Sequence, residues 1–470
     1  MLGTVDLVIE NAKVYYGGHF IEGGVAVDGG VIVCVGKDPR LPEADRVIDA
    51  EGKLLIPGAI DGHVHVREPW ERSDRKLVLS ASDVPTDTQA AAVGGVTTVI
   101  NQPNVHPAVV DSKSLKRAVE VWEGRSYVDY GFHGGIKPKT DLEGVERLWS
   151  EGVMGLKIFL ASSDPLWPPL DDGDLLYTLQ KTGELDALPI IHAENDSIIA
   201  RSVERLKALS RRDYASHLEG RPPVAEVEAV RRAAFLLSKT GSKGLIAHVS
   251  VAESVFEVLK VREGGGKVYL ETCPHYLFLS NEDLKVRGPW LKCAPPLRER
   301  GENAKLWNLL NRGFIDVLGS DHAPHPRELK ERGFENFWEA PNGLPGVETT
   351  LPLMLTAVNE GRLSLKRLVE VFCENPAKLY GLYPKKGVIS VGSDGDLVLI
   401  DLKREEVVSS DRLKMKCGWS PYEGFRLKGV PTLTVVRGEV VMEDREIVGT
   451  EGHGRHVRRL SETCVSSREV

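Results

Sequence analysis

Eight short apolar runs, separated by stretches with helical periodicity, occupy the middle of this 470-residue sequence. One spacer, AEVEAVRRAAFLLSK (225–239), places its apolar residues at the spacing of a helix. Repeated strand–helix units predict an α/β fold, a (β/α)8 TIM-like barrel over residues 56–382. A doubly wound open sheet is the alternative, although no glycine-rich nucleotide-binding motif follows any run. The runs are GAIDGHVHVRE, GVTTVINQPN, YVDYGFHGG, VMGLKIFLASS, LPIIHAEN, KGLIAHVS, KVYLETCPHY and FIDVLGSDHAPH.

The two ends of the chain have a different pattern, in which short strands alternate with glycine-rich turns. Residues 1–55 contain VDLVIENAKVYY, and residues 383–450 contain VPTLTVVRGEVVMEDREIVG. Neither end has enough strands for a stable sheet alone, so we expect one small β-sandwich built from both termini. Residues 451–470 are polar, and we expect them to form a flexible tail.

Charge and composition exclude several classes of partner. The chain has 60 basic and 68 acidic residues, a net charge of -8 and no basic block, so we expect no nucleic acid partner. No apolar stretch approaches the roughly 20 residues that span a bilayer, so we expect no membrane partner. The start of the chain lacks the features of a secretory signal. Six cysteines without a CxxC pair favour the cytoplasm.

Chemically capable residues lie at the ends of most of the apolar runs. In a barrel the carboxyl ends of the strands surround one pocket, so we expect these side chains to converge there. The first two histidines point to the same face, because the side-chain period of a strand is two. Each residue alone could be structural, but imidazoles and carboxylates together indicate a site for zinc or a related ion. The set is His63, His65, Arg67, Asn104, Lys157, His192, His248, Asp321 and His325.

Lys157, within GLKIFL, requires a chemical explanation of its own. An ammonium group has no lone pair for a metal ion and would repel one. A lysine carbamylated by CO2 is instead an anion with two oxygens, which could bridge two cations. The alternative is that Lys157 binds a phosphate or carboxylate.

Nine motifs together resemble the cyclic amidohydrolases, and among these most closely the dihydroorotases, from about residue 5 to residue 448. The resemblance implies a barrel with a terminal β-sandwich and a binuclear zinc centre. It implies that His63, His65 and Asp321 hold one ion, that His192 and His248 hold the other, and that carbamylated Lys157 bridges them. It also implies a metal-bridged hydroxide as nucleophile, with Asp321 as general base and acid. The motifs are PGAIDGHVHVREP, AAAVGGVTTVINQPN, MGLKIFL, IIHAEN, IAHVS, ETCPHYL, KCAPPLRE, GSDHAPH and GLPGVET.

The substrate depends on residues beyond the metal ligands. Arg67 matches the HxHxRE pattern of dihydroorotases, where a guanidinium pairs with the ring carboxylate, and Asn104 and His325 match further carboxylate contacts. The resemblance thus implies reversible hydrolysis of dihydroorotate to N-carbamoyl-aspartate in de novo pyrimidine biosynthesis. Ala294 and Gln102, however, stand where dihydroorotases have Asn and Met.

These departures leave other functions open. Allantoinase is the main alternative, followed by hydantoinase or dihydropyrimidinase, all of which act on uncharged rings. A non-catalytic homologue is a third class, but such chains typically lose metal ligands. The sequence does not reveal the native metal, a homo-oligomer or docking on aspartate carbamoyltransferase.

Overall fold

The computed structural model describes residues 3–68, 81–162 and 167–460. Within those residues the strands are β1 (Val5–Tyr16), β2 (His19–Asp28), β3 (Val31–Gly36), β4 (Ala44–Asp49), β5 (Leu54–Pro57), β6 (Ala59–Val64), β7 (Val96–Asn101), β8 (Asp129–Phe132), β9 (Gly134–Gly135), β10 (Leu156–Phe159), β11 (Pro189–His192), β12 (Gly244–Ile246), β13 (Val268–Thr272), β14 (Val317–Leu318), β15 (Leu397–Val407), β16 (Arg426–Val436), β17 (Glu439–Glu443) and β18 (Glu446–Ile447).

The same residues form α-helices, most of which follow the central strands. They are α1 (Val84–Val93), α2 (Ser112–Trp122), α3 (Leu142–Ser150), α4 (Asp172–Glu184), α5 (Asp196–Ala208), α6 (Tyr214–Gly220), α7 (Pro223–Thr240), α8 (Ala252–Glu263), α9 (Pro274–Phe278), α10 (Asn281–Arg287), α11 (Arg300–Asn311), α12 (Arg327–Glu331), α13 (Thr350–Asn359), α14 (Leu365–Val369) and α15 (Asn375–Leu379). No helix in these described ranges is long and apolar enough to cross a membrane.

Both ends of the chain contribute to one nine-stranded sheet. Its order is β18-β17-β16-β15-β5-β1-β2-β3, and β4 pairs with β1. The antiparallel pairing of β5 with β15 joins the two ends, with Leu397 opposite Pro57. Apolar residues from both ends, including Ile9 and Leu433, share one buried cluster. The two-layer packing of a sandwich and the domain boundaries at 55, 382 and 450 stay predictions.

The central strands are parallel, and each of the eight predicted runs contains at least one. They pair as β6-β7-β8 and as β14-β13-β12-β11-β10-β9. Only His133 separates β8 from β9. At the other edge, the N–H of His65 donates to the carbonyl of His322 at 2.7 Å. The predicted α/β class with parallel sheets is confirmed, whereas closure into a single barrel stays a prediction.

Local sequence explains why these segments form strands and helices. Strand β7 (VTTVIN) is buried at every position, which is typical of parallel strands covered on both faces. Helix α2 buries Leu115, Ala118 and Trp122 on one side. It begins after Asp111, whose carboxylate accepts a hydrogen bond from the N–H of Ser114. Buried strands and capped helices of this kind give each element a defined end, which fixes where the carboxyl ends of the parallel strands lie.

Residues 451–460, the first part of the predicted flexible tail, form backbone hydrogen bonds with β8. The N–H of Tyr130 donates to the carbonyl of Arg455 at 3.0 Å, and the N–H of Val457 donates to the carbonyl of Tyr130 at 2.8 Å. The ring of His456 stacks on that of Tyr130, with centroids 5.8 Å apart. This segment is polar in sequence, but backbone pairing with β8 orders it. The remainder of the predicted tail, 461–470, lies outside the described residues.

Candidate metal centre

The carboxyl ends of the parallel strands surround one cavity of about 450 Å³. All the residues that the sequence predicts for metal or substrate binding line it, and they follow or end six strands: β6, β7, β10, β11, β12 and β14. The structure therefore brings together side chains that are up to 262 positions apart in the chain, from His63 to His325. The lining includes His63, His65, Arg67, Asn104, Lys157, His192, His248, Asp321 and His325.

His63, His65 and Asp321 form the first group of candidate ligands. Asp321 Oδ1 lies 3.3 Å from His63 Nε2 and 3.1 Å from His65 Nε2. On the far side of each ring, His63 Nδ1 lies 2.6 Å from Glu271 Oε1, and His65 Nδ1 lies 2.8 Å from Asn104 Oδ1. Because those oxygens accept hydrogen bonds, both Nδ1 atoms donate. The two Nε2 lone pairs then face an Asp321 oxygen, an arrangement that a cation between them stabilises.

His192 and His248 form the second group. His192 Nδ1 lies 3.0 Å from His248 Nε2, and His192 Nε2 lies 3.1 Å from Glu194 Oε2. The buried Nδ1 of His248 has no hydrogen-bond partner among the described residues. Two ligand atoms bonded to one zinc ion at about 2.1 Å lie roughly 3.4 Å apart in tetrahedral geometry. The separations in both groups are close to this value, so the donor set fits two divalent ions.

Lys157 is fully buried beside both groups. Its Nζ lies 3.4 Å from His63 Nε2, and its charge lowers the pKa of His192 and His248. Burial lowers the pKa of Lys157 itself to about 8. A neutral amine is the form that reacts with CO2, so this environment favours the chemistry predicted for the side chain.

Protonation states in the cavity suit metal binding. Burial lowers the pKa of His65 to about 4 and also lowers the pKa of His192 and His248. These rings are therefore neutral near pH 7, the form that binds metal ions. Burial opposes ionisation of Asp321, but the neighbouring imidazoles of His63 and His65 hold the pKa of Asp321 well below its usual range.

Two candidate ligands have an unusual backbone conformation. His248 has a φ of 39° and Asp321 a φ of 48°, in the left-handed region that residues other than glycine rarely adopt. Such strain is typical of functional sites, where the surrounding structure maintains it. Here it turns each side chain into the cavity just after its strand ends.

The predicted substrate contacts lie on one side of the cavity. One guanidinium nitrogen of Arg67 donates to the carbonyl of Pro324 at 3.1 Å, and the group lies against the ring of His325. His325 Nε2 lies 2.7 Å from the carbonyl oxygen of Asn342. Asn104 lines the cavity too, but its Oδ1 orients His65, so at least this oxygen supports a candidate ligand.

A model of the Amidohydrolase family matches residues 54–441, most of the chain. The chain belongs to the amidohydrolase family.

Relatives of this amidohydrolase carry more than one name. The L-hydantoinase of Paenarthrobacter aurescens is 36% identical over 456 residues, covering 97% of this chain and 98% of the relative. The dihydroorotase of Methanosarcina mazei is 36% identical over 458 residues, covering 96% and 97%. The solved structure of L-hydantoinase (dihydropyrimidinase) from Arthrobacter aurescens has a TM-score of 0.92 at 36% identity and covers 97% of this chain and 100% of that chain. The prediction that the chain is a cyclic amidohydrolase is confirmed. The comparisons do not favour dihydroorotases over hydantoinases, so the narrower resemblance to dihydroorotases is not confirmed.

The amidohydrolase site also contains residues that sequence analysis missed. Glu271 orients His63, and its Oε1 also accepts the N–H of His248 at 3.1 Å. Glu194 is paired with Arg221, and although burial opposes it, this guanidinium lowers the pKa of Glu194 to about 2. Both carboxylates lie at the ends of predicted runs, in HAEN and ETCPHY. This position was the only sequence feature that could have identified them as residues of the site.

Proposed function

We propose that this amidohydrolase hydrolyses the ring of a cyclic ureide, the class that hydantoinases and dihydropyrimidinases open, with two divalent metal ions as cofactors. The observation that carries the proposal is the pair of ligand groups in one cavity, with the Nε2 atoms of His63 and His65 facing Asp321. The hydantoinase relatives, which align over nearly the whole chain, support the ureide as the substrate class.

The same proposal includes the chemical identity of the centre. His63, His65 and Asp321 would hold one zinc ion, His192 and His248 the other, and carbamylated Lys157 would lie between them. Divalent ions at these positions lower the pKa of water and polarise a carbonyl group.

The chain's own residues supply the proton transfers. Asp321 is ionised near pH 7, so its carboxylate can accept a proton from the attacking water and deliver it to the ring nitrogen that leaves. His65 is neutral near pH 7 because burial lowers its pKa to about 4, so its Nε2 lone pair stays available to a metal ion. The buried walls of the cavity separate the reacting groups from bulk water.

We also infer that the two parallel sheets form one (β/α)8 barrel. Strands β8 and β9, which only His133 separates, run in the same direction and join one edge of each sheet. At the other edges of the two sheets, hydrogen bonds connect His322 with the end of β6. The cytoplasmic location stays a prediction.

Dihydroorotate is the second candidate substrate, and the position of Arg67 favours it. This guanidinium lies against His325 and lines the same cavity as Asn104, where a ring carboxylate would meet it. A charge-assisted pair of this kind contributes about 2–5 kcal/mol, since its loss leaves a desolvated carboxylate unpaired. Ala294, which also lines the cavity, offers no such contact.

One comparison separates the candidates. The metal-loaded enzyme is assayed with hydantoin, dihydrouracil, allantoin and dihydroorotate, alongside Arg67→Met. We expect an uncharged ring to be the best substrate and Arg67→Met to change its turnover little. Preference for dihydroorotate, with a loss of about 30-fold or more in kcat/KM on Arg67→Met, would establish the second candidate instead. Absence of turnover of all four rings would contradict the proposed function.

A further inference from the structure

One part of the cavity wall is formed by residues 337–343 (FWEAPNG), here called the lysine-held wall. Trp338, Glu339 and Pro341 are among its residues that line the cavity. The segment contains only one short turn of 3-10 helix, at Phe337–Glu339. Regular secondary structure therefore does not explain how the wall keeps its shape.

Two buried ammonium groups bind the backbone of this wall. Lys292 Nζ donates to the carbonyl of Phe337 at 2.7 Å, to that of Ala340 at 2.6 Å and to that of Trp338 at 3.4 Å. Lys330 Nζ donates to the carbonyls of Pro341 at 3.1 Å and Gly343 at 3.0 Å. Carbonyl oxygens from five of the seven wall residues are thus bound by lysine.

The two lysines are also connected to each other. Lys330 Nζ donates to the carbonyl oxygen of Lys292 at 2.9 Å, and the same oxygen accepts the N–H of Gly343 at 3.0 Å. Lys330 is 0% exposed and Lys292 is 4% exposed. Neither ammonium group has a salt-bridge partner within the described ranges. Burial lowers the pKa of Lys292 to about 7 and that of Lys330 well below its ordinary value, because a buried ammonium without a carboxylate is costly. Each Nζ nevertheless faces three carbonyl oxygens, which the three N–H groups of an ammonium satisfy.

The wall meets the candidate substrate contacts directly. The carbonyl of Asn342 lies 2.7 Å from His325 Nε2. At Gly343, φ is 138°, and a Cβ would lie 2.5 Å from the carbonyl oxygen of Ala323 and 2.9 Å from His325 Nε2. A displacement of the wall would therefore move the surface that a substrate ring contacts, without moving His192 or His248.

We propose that Lys292 and Lys330 are positioning residues that fix the lysine-held wall, and thereby set how tightly the cavity binds a substrate ring and which ring it prefers. The part that concerns substrate rests on the proposed function. Lys330 does not line the cavity and acts through the wall backbone, whereas Lys292 both holds the wall and lines the cavity. Loss of either lysine therefore affects binding of the ring more than the chemical step at Asp321, and Lys330→Met is the variant that isolates the effect of the wall.

The test uses Lys330→Met and Lys292→Met in the full-length, metal-loaded enzyme. Methionine keeps the length and apolar stem of lysine but donates no hydrogen bond. The control is Lys243→Met, because Lys243 comes just before β12, pairs with Asp186 and does not line the cavity. Pro341→Gly is a milder second variant, which loosens the wall while both ammonium groups stay, in case a lysine variant does not fold.

Amide hydrogen exchange, followed by mass spectrometry, reports on the wall without any substrate. We expect faster exchange in peptides covering 337–343 in both lysine variants and in Pro341→Gly, with unchanged exchange around His192 and unchanged metal content. Lys243→Met should match the wild type. Unchanged exchange of the wall in the folded lysine variants would overturn the proposal.

Steady-state kinetics with hydantoin, dihydrouracil, allantoin and dihydroorotate tests the effect on substrate. We expect KM to rise about tenfold or more while kcat falls less than about threefold, and the order of preference among the rings to change. Equal losses in kcat for every ring with KM unchanged would overturn the proposal. If the wild-type enzyme opens none of the four rings, the proposed function fails, and the exchange experiment alone decides whether the lysines position the wall.

Discussion

At the scale of single residues, Lys157 connects the two groups of candidate ligands. It is buried, lies 3.4 Å from His63 Nε2 and has a pKa near 8, which leaves a fraction of neutral amine at neutral pH. A cation at this position would repel two metal ions, whereas a carbamate would bind both. The chemistry of this one side chain therefore decides whether the centre is binuclear.

We predict that Lys157→Ala abolishes hydrolysis, and that short carboxylic acids partly restore it by replacing the carbamate between the ions. Activity with and without added acetate, together with metal content, measures this. Lys157→Arg is the matched control, since a guanidinium occupies the space with the wrong charge and should not be rescued. A fully active, metal-loaded enzyme with a free Lys157 ammonium would contradict the prediction.

At the scale of elements, strand ends were predictable from sequence, but the loops around them were not. Continuous apolar runs such as VTTVIN have a clear signal, and a polar residue just after each run marks the carboxyl end. The wall at 337–343 has no periodicity, because its shape depends on hydrogen bonds from side chains outside the segment, those of Lys330 and of the more distant Lys292. Residues 451–460 were interpreted as a tail because their backbone pairing with β8 joins parts of the chain that are far apart in sequence.

The residues that surround the substrate were only partly predictable from the sequence. Arg67 and His325 were identified from sequence, and the structure places them in contact. Glu271 was not, since its run matched no motif of metal ligands and its role depends on contact with His63 from the side of the ring that faces away from Asp321. Residues that act by orienting another side chain leave little trace in a single sequence.

The turn after β11 provides an element-scale prediction. Burial opposes ionisation of Glu194, but Arg221 holds its pKa near 2, below the ordinary 4.5, so the pair stabilises the fold above about pH 4.5 and loses this effect as pH falls toward 2. Arg221→Met should lower the free energy of unfolding by about 3–5 kcal/mol near pH 7, because a buried carboxylate is left unpaired. Urea denaturation at several pH values measures the difference, which should shrink in acid.

The control for this prediction is Arg201→Met, which removes an exposed pair with Glu204 and should change stability little. A difference between Arg221→Met and wild type that stays constant from pH 7 to pH 3 would contradict the assignment of the effect to Glu194.

At the scale of the whole molecule, a buried charge cluster connects the parallel strands with the terminal sheet. Lys386 Nζ lies 2.7 Å from Asp129 on β8, 3.0 Å from Asp394 and 2.6 Å from Asp396, the residue just before β15. All four side chains are buried. The two parts of the fold are thus joined by a cluster of buried charges.

We predict that Lys386→Met lowers the free energy of unfolding by about 3–5 kcal/mol, since three carboxylates lose their shared cation in a buried site. Thermal and urea unfolding measure this. Lys305→Met, at an exposed pair with Glu302, is the control and should behave like the wild type. A stability equal to the wild type in Lys386→Met would show that the cluster does not join the two parts.

Metal removal should also lower the stability of the whole molecule. The candidate ligands extend from five strands, so two bound ions would connect these strands and stabilise the folded state. We expect about two divalent ions per chain after purification with zinc and bicarbonate. Chelation should then lower Tm by several degrees, and zinc should restore it. Equal Tm values with and without chelator, in protein shown to lose metal, would contradict this.

The left-handed backbone at His248 and Asp321 has a consequence for the evolution of this enzyme. Glycine adopts that conformation at little cost, so a chain freed from selection for activity would gain stability by losing either ligand. Retaining histidine and aspartate there is a stability–activity trade-off, in which the fold tolerates strain at the two positions where chemistry needs a side chain. In a library selected only for thermal stability, inactive Asp321→Gly and His248→Gly clones should therefore be enriched, provided that no metal is present during selection.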